Sequence, residues 1–190
     1  NSIASGGNQN VVVGDEAGTA ITTGDENVFV GFQSGDALVD GTFNVAMGSN
    51  SLTTDTKGKK SVAIGTNALA TQNFTTLTDS FNTAVGHSAG TAVTTGTENT
   101  LLGGLAGAAL TTGIRNVIVG YLAGDALTDA DENIAVGKSA LSADTLGSRA
   151  TAIGKSALSS QNFTTATNGY NVALGYEAGK AVTTGVENVL

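Results

Sequence analysis

One short pattern, repeated along almost the whole chain, constrains the fold more than any other feature. It reads Asn-apolar-x-apolar-Gly-x-x-Ala, with small variations, and it occurs ten times in 190 residues. Each copy, or turn, is 17 residues long, except for two turns of 21 residues. The turns begin at Asn10, Asn27, Asn44, Ser61, Asn82, Asn99, Asn116, Asn133, Ala150 and Asn171, and the pattern restarts at Asn188. A fixed period of this kind predicts a stack of equivalent structural units.

A second, longer period defines the domain organisation. The two 21-residue turns begin at Ser61 and Ala150, which are 89 residues apart. The chain therefore reads as one repeat domain, residues 10–190, made of two five-turn units and a partial turn. The units are residues 10–98 and 99–187, the partial turn is 188–190, and residues 1–9 form an irregular or partial first turn.

The composition of each turn predicts short strands. Seventeen residues are too few for a helical-hairpin repeat of about 33–47 residues. Segments such as 11–13 and 19–22 are rich in Val, Ile and Thr, which favours strands separated by glycine or polar corners. Stacking equivalent turns at the strand spacing of about 4.8 Å gives an all-β, parallel β-solenoid about 48 Å long.

Both sides of the first strand of each turn are apolar. Positions 2 and 4 of the turn point one way and position 3 points the other, because side chains alternate along a strand. Apolar residues on both sides indicate burial on both sides. One side can fill the coil, and only another chain can cover the second, so we infer a homo-oligomer. The position-3 residues that we assign to the core or the oligomer interface are Val12, Phe29, Leu101 and Ile118.

One large aliphatic residue is kept in the second half of each turn, although its position shifts. Six turns have Gly at position 9 and an aliphatic residue at position 12, namely Ile21, Leu38, Val93, Leu110, Leu127 and Val182. The other four have Leu at position 9 and a polar residue at position 12. A core slot of constant volume explains this exchange. The Asn at position 1 and the Gly at position 5 are interpreted as structural corner residues.

Charge and reactive residues exclude several functions. The chain has 8 Lys+Arg, 16 Asp+Glu, a net charge of −8 and no basic run, which argues against nucleic acid as a partner. It has no Cys and one His, His87, so we expect no metal, no cofactor and no catalytic residue. Residues 1–9 show no secretory signal, and the apolar stretch 101–110 is shorter than the about 20 residues that a membrane helix needs. We expect neither enzymatic activity nor membrane insertion.

Several turns resemble a known repeat. Residues 61–69 read Ser-Val-Ala-Ile-Gly-Thr-Asn-Ala-Leu, which closely resembles the repeat of YadA-like heads in trimeric autotransporter adhesins. Residues 133–137, 151–154 and 171–179 are similar, and the last segment also resembles repeats of bacteriophage tail fibres. The resemblance implies a left-handed β-roll assembled as a homotrimer, used for adhesion at a bacterial surface or in a virion tail fibre. Turns of 17 and 21 residues are longer than is typical of those heads. The resemblance assigns no catalytic residue to this chain.

The two long turns are the strongest candidates for recognition. Their extra residues fall at the same corner, where we expect them to bulge outward, and insertions in solenoids often mark the binding face. The receptor-binding candidates are Phe74, Thr75, Thr76, Leu77 and Asp79 in the first long turn, and Phe163, Thr164, Thr165, Asn168 and Tyr170 in the second. A decorative or stiffening loop is the alternative interpretation.

These observations predict a non-enzymatic segment of an extracellular fibre or head that adheres to a cell surface or a host receptor. Its partners would be copies of itself, as a trimer that can join end to end, and a protein or glycan receptor. The alternative is a purely structural shaft or self-assembling filament. Ice binding by the recurrent Thr-Thr-Gly corners, for example at Thr111 and Thr112, is a distant third.

Overall fold

The stacked repeats form a parallel β-solenoid of about ten turns, as predicted. A computed structural model describes residues 7–190, in which there are fourteen short strands and no helix. The prediction for residues 1–9 falls mostly outside the described part of the chain. The strands are β1 Val11–Val13, β2 Val28–Val30, β3 Val45–Met47, β4 Gly58–Lys59, β5 Val62–Ile64, β6 Thr78–Asp79, β7 Thr83–Val85, β8 Thr100–Leu102, β9 Val117–Val119, β10 Ile134–Val136, β11 Gly147–Ser148, β12 Thr151–Ile153, β13 Thr167–Asn168 and β14 Val172–Leu174.

One strand from each turn joins a single sheet. Its ten strands follow the order β1-β2-β3-β5-β7-β8-β9-β10-β12-β14, and every neighbouring pair is parallel. Equivalent positions of successive turns lie side by side, as Val11 does with Val28, so the stack has no offset. Two small parallel sheets, β4 with β6 and β11 with β13, connect each long turn to the turn before it.

The Asn column holds the corners together, which confirms its structural interpretation. The Nδ2 of Asn27 donates to the carbonyl oxygen of Gly41 at 3.0 Å and so closes its own turn. The Oδ1 of Asn27 accepts the backbone N–H of Asn44 at 2.9 Å, which ties that turn to the next. Because each side chain satisfies backbone groups on two levels, the column acts as a ladder along the stack.

The glycine corner at position 5 is required both by conformation and by space. Gly86 has a φ of +140°, and a Cβ there would lie 2.5 Å from the carbonyl oxygen of Gly103 in the next turn. Position 7 and the last position of the turn, which is 17 or, in a long turn, 21, also have positive φ in every turn, although they are never glycine; examples are Glu16 and Arg115. Nothing in these residue types predicts a left-handed conformation, which L-residues adopt at a cost.

The core is a column of position-3, position-8 and large aliphatic side chains. Phe29, Leu101 and Ile118 are completely buried inside the coil, and Val12 is half-buried against them. The aliphatic exchange between positions 9 and 12 is confirmed, because both kinds of residue fill the same core. Fully or almost fully buried are Ile21, Leu38, Val93, Leu110 and Leu127 at position 12, and Leu52, Leu69, Leu141 and Leu158 at position 9. Val182, in the last complete turn, is partly buried.

Candidate functional sites

The described residues contain no enclosed site. Residues 7–190 form no cavity and hold no group of His, Cys, Asp and Glu side chains that could bind a metal ion. That part of the chain also has no helix long and apolar enough to cross a membrane. His87 is exposed immediately after the glycine corner of its turn. The candidate sites are therefore surfaces.

The first surface is the outer face of the ten-stranded sheet. Position-3 side chains point into the coil, so positions 2 and 4 point outward, and no residue on this face is buried. Val117 and Ile134, on the seventh and eighth of the ten strands, are 39% and 38% exposed. The face consists of Val11, Val13, Val28, Val30, Val45, Met47, Val62, Ile64, Thr83, Val85, Thr100, Leu102, Val117, Val119, Ile134, Val136, Thr151, Ile153, Val172 and Leu174. We call this set the outer sheet face.

Aromatic and charged residues border the outer sheet face at position 6 and at the last position of the turn, which is 17 or, in a long turn, 21; we call the latter the position-17 border. The chain has 6 Phe, 3 Tyr and no Trp, and all those that are exposed lie on these two borders. They are Phe32, Phe43, Phe81, Tyr121, Tyr170 and Tyr176. Aromatic residues are enriched at protein interfaces because they combine large apolar area with a polar or polarisable edge.

Ion pairs and cation–π contacts organise the position-17 border. Arg115 and Arg149 bind Glu132 at 3.3 and 2.9 Å, and Arg149 also donates to the hydroxyl of Tyr170 at 3.1 Å. The hydrogen bond from Arg149 lowers the pKa of Glu132 below its usual range. The ammonium of Lys60 lies 4.9 Å from the ring centre of Phe81. These contacts are exposed, so they order the border more than they stabilise the fold.

The phenylalanine rings of the two long turns do not point outward as predicted, and this corrects the assignment of two candidates. Phe74 and Phe163 are only 6% exposed, so their rings cannot contact a receptor. Each long turn pairs with the preceding turn, and in the second long turn a glycine of that preceding turn leaves room for the ring. A Cβ at Gly147 would lie 2.7 Å from Cδ2 of Phe163.

The other candidates lie at the surface. In the first long turn, Thr75, Thr76 and Leu77 are exposed, Leu77 by 59%. Asp79 is half-buried in β6 and forms ion pairs with Lys59 and Lys60 at 3.0 and 2.7 Å. In the second long turn the exposed candidates are Thr164, Thr165, Asn168 and Tyr170.

A buried polar cluster, which sequence reasoning missed, holds the first long turn in place. Asp55, at position 12 of the preceding turn, accepts hydrogen bonds from the N–H groups of Gly58 and Phe74 at 2.9 and 3.0 Å. Its Oδ2 accepts from Nε2 of Gln72 at 2.6 Å, and Oε1 of Gln72 accepts from Nδ2 of Asn82 at 2.9 Å. Burial raises the pKa of Asp55, although these hydrogen bonds oppose the rise. We call these residues the first polar cluster.

The second long turn has the same arrangement, which we call the second polar cluster. Asp144 accepts from the N–H groups of Gly147 and Phe163 at 3.0 and 2.9 Å, and from Gln161 at 2.6 Å. Nδ2 of Asn171 donates to Gln161 at 2.7 Å. The sequence signal for these clusters lies at position 12, which is aliphatic in the other six turns. It is Asp in the turn before each long turn and Gln in the long turn itself.

The threonines of the Thr-Thr-Gly corners use their hydroxyl groups within the stack. Thr94 and Thr111, the first threonines of two such corners, donate to the carbonyl oxygen of the equivalent residue in the next turn at 3.3 and 3.1 Å, as does Thr128 of a Thr-Asp-Ala corner at 3.0 Å. An ice-binding rank would need such hydroxyl groups turned outward, so this arrangement gives the ice-binding hypothesis no support.

Comparison with known proteins adds no relative: no protein-family model, curated protein or solved structure matches the chain. The resemblance to YadA-like heads therefore rests on the repeat motifs alone.

Proposed function

We propose that the chain is a segment of an extracellular fibre or head in which copies pack side by side through the outer sheet face, as a homotrimer that can continue end to end. The observation that carries this proposal is the outer sheet face itself, an apolar surface that no described residue covers. Without the position-6 border, the face and its position-17 border span about 16 Å across and about 48 Å along the stack. The resulting area of about 770 Å² is close to the about 800 Å² that each partner buries in a stable interface.

We assign the adhesive role to the exposed tips of the long turns, 75–77 and 164–166. The two tips are five turns apart, which is about 24 Å along the stack. A trimer would carry three copies of each tip, so weak individual contacts would add up through multivalency. Adhesion to a bacterial or host-cell surface is the function that this arrangement supports best, without a pocket, cofactor or catalytic group.

A structural shaft is the second candidate, and one observation favours it. Phe74 and Phe163, the largest residues of the long turns, pack inward, which is what a turn that stiffens the stack would require. On this interpretation the long turns brace the solenoid and bind no receptor. The two candidates share the proposed assembly and differ only in what the tips do.

Charged substitutions on the outer sheet face test the assembly. Val85→Lys and Ile134→Lys place a charge at the centre of the proposed interface, whereas Thr95→Lys places one on an exposed corner of the same turn as Val85. We expect the first two variants to sediment as monomers and the Thr95 variant to keep the mass of the wild type. Unchanged masses for all three variants would contradict an interface on this face.

Replacing the tips separates adhesion from a shaft. Residues 75–77 and 164–166 are exchanged together for Gly-Ser-Gly, which leaves Phe74, Phe163 and both polar clusters intact. Fluorescently labelled protein is then incubated with cultured epithelial cells and with intact bacterial cells. Adhesion predicts that cell binding by the wild type falls about tenfold or more in the variant, because avidity multiplies each lost contact. Equal binding by both proteins would favour the shaft.

A further inference from the structure

A strip of four side chains runs along the position-6 border of the second five-turn unit. Tyr121, Lys138, Lys155 and Tyr176 follow β9, β10, β12 and β14, so they lie on four successive strands and span about 14 Å. All four are exposed. The ammonium of Lys138 lies 5.9 Å from the ring centre of Tyr121, and that of Lys155 lies 5.1 Å from the ring centre of Tyr176. We call these residues the Tyr-Lys strip.

The two lysines of the strip differ from every other basic residue of the chain. All eight Lys and Arg residues lie within the described part, and six of them form ion pairs. Lys138 and Lys155 form none with the residues that the structure describes, although the chain carries a net charge of −8. Glu177 lies close enough to Lys155 for their charges to interact, but its carboxylate binds Lys180 at 3.1 Å.

The fold itself does not require this arrangement. The equivalent position-6 residues of the first unit are Phe32, Ser49, Thr66 and His87, and they follow the same strand geometry. Lysines on adjacent strands repel each other, and neutral residues in the same place avoid that repulsion. An anion bound between or along the two ammonium groups would remove the repulsion. The comparison of the two five-turn units therefore indicates that the strip of the second unit has an anionic ligand.

We propose that the Tyr-Lys strip binds an acidic polysaccharide, whose carboxylate or sulfate groups pair with Lys138 and Lys155 while its sugar rings pack on Tyr121 and Tyr176. The exposed ring surfaces favour a sugar, since they offer flat apolar contact beside the two charges. An extended peptide fits less well, because it would dock by adding a strand to a sheet edge. The strip lies beside strands whose backbone groups are already paired on the ladder.

This inference rests on the adhesive role proposed above and gives it a receptor class. It places that receptor on a border of the outer sheet face, away from the tips of the long turns. The border of an interface remains accessible to solvent even when its centre is buried. Assembly and polysaccharide binding can therefore occur together.

The test uses the full chain with immobilised heparin as the acidic polysaccharide and dextran as a neutral one. The strip variant is Lys138→Ser/Lys155→Thr, which installs the residues of the first unit. The matched control, Lys57→Ser/Lys59→Thr, removes the same charge from two ion-paired lysines of the first unit. We expect the wild type to bind heparin and not dextran, and the strip variant to bind about tenfold more weakly, because two charge-assisted contacts are lost. The control should change the affinity less than about twofold.

Three results would overturn the proposal. They are no heparin binding by the wild type, an equal loss in the control, and equal binding of poly-glutamate, which would indicate any polyanion, including an acidic protein. Sedimentation distinguishes this failure from that of the proposed assembly. If the wild type is an oligomer that does not bind heparin, only the proposal for the strip is contradicted. If it is a monomer that binds heparin through the two lysines, only the proposed assembly is contradicted. A change of oligomeric mass in the strip variant would assign the strip to the contact between copies.

A gain-of-function variant provides a second test. Ser49→Lys/Thr66→Lys with Phe32→Tyr/His87→Tyr copies the strip onto the first unit. We expect the stoichiometry of bound short heparin fragments to double relative to the wild type, which calorimetry measures. An unchanged stoichiometry would show that the four side chains do not make a site.

Discussion

The first and second polar clusters perform the same task with different neighbours. In both, a buried carboxylate accepts the N–H of the inward-facing phenylalanine and is met by a glutamine amide at 2.6 Å. In the first cluster, Gln72 also donates to the hydroxyl of Ser61 at 2.8 Å, and Ser61 shares a 2.6 Å hydrogen bond with Ser80. In the second cluster the equivalent residues are Ala150 and Gly169, which have no hydroxyl groups. The carboxylate and the glutamine amide are therefore common to both clusters, whereas the serine pair is found only in the first.

The far ends of the two long turns differ in a similar way. Asp79 closes the first through ion pairs with Lys59 and Lys60. The second has Asn168 at that position, and its end is closed by Arg149, which contacts the ring and the hydroxyl group of Tyr170. A cation–π contact is common to both ends, because Lys60 lies over the ring of Phe81 as Arg149 lies over that of Tyr170. The ion pairs of Asp79 are found only in the first long turn, so the buried carboxylate and amide are shared but neither all buried nor all exposed contacts are.

Removing the buried rings should have the largest effect, and it should be equal in the two long turns. Phe74→Ala and Phe163→Ala each leave a cavity, so we expect each to lower the free energy of unfolding by about 3–5 kcal/mol. Denaturant unfolding followed by circular dichroism measures the loss. Leu77→Ala, at an exposed tip, serves as the control and should change little. A negligible loss for either phenylalanine would mean that its ring does not pack inward.

Removing the carboxylates should destabilise the two clusters to different extents. Asp55→Ala and Asp144→Ala each leave buried N–H groups without an acceptor, so both variants should be destabilised. In the first cluster, Gln72 keeps Ser61 as an acceptor, whereas Gln161 has no equivalent serine. We therefore expect Asp144→Ala to lose about 1 kcal/mol more than Asp55→Ala in the same unfolding experiment. Equal losses would show that the serine contributes nothing once the carboxylate is gone.

Converting the first cluster into the second should have a smaller effect. Ser61→Ala/Ser80→Gly removes both members of a hydroxyl pair and reproduces Ala150 and Gly169. Removing both partners of a hydrogen bond is close to neutral, so we expect a loss below about 1 kcal/mol. Ser61→Ala alone is the control, in which Ser80 still donates to the carbonyl oxygen of Lys59. A loss in the double variant as large as that of Asp55→Ala would make the serine pair essential.

The pH dependence of the first cluster should be the smallest effect. Burial raises the pKa of Asp55 above its ordinary value of 3.8, so folding favours the protonated carboxyl group. The stability that this preference contributes is full below about pH 4 and is lost as the pH rises through the raised value. The wild type should therefore lose stability relative to Asp55→Asn as the pH rises from about 4 through the raised pKa of Asp55. Other groups titrate in both proteins and cancel in the difference; the opposite slope would contradict a carboxylate destabilised by burial.

Much of the fold could be predicted because each turn repeats the same sequence pattern. The glycine column, the Asn column and the constant aliphatic volume each occur about ten times, so one physical explanation had to satisfy every turn. The fate of the long turns could not be predicted, because the extra residues occur only twice. Whether Phe74 points out or in depends on a hydrogen bond to Asp55, which lies 19 residues away in the chain.

The structural features that could not be predicted from the sequence have a common physical origin. Positive φ at position 7 and at the last position of the turn falls on residues such as Glu16, Arg115 and Tyr170, which have no intrinsic preference for that conformation. The stack imposes it, because each turn must superpose on its neighbours. In the same way, Asp55 and Gln72 look like surface residues until the adjacent turn buries them against each other.

Sedimentation equilibrium of the wild-type chain tests the central claim most directly, because an uncovered outer sheet face is the basis of the proposed function. The proposed assembly predicts a mass of three times the 18.7 kDa chain, stable on dilution. A single species of 18.7 kDa at every concentration would contradict it.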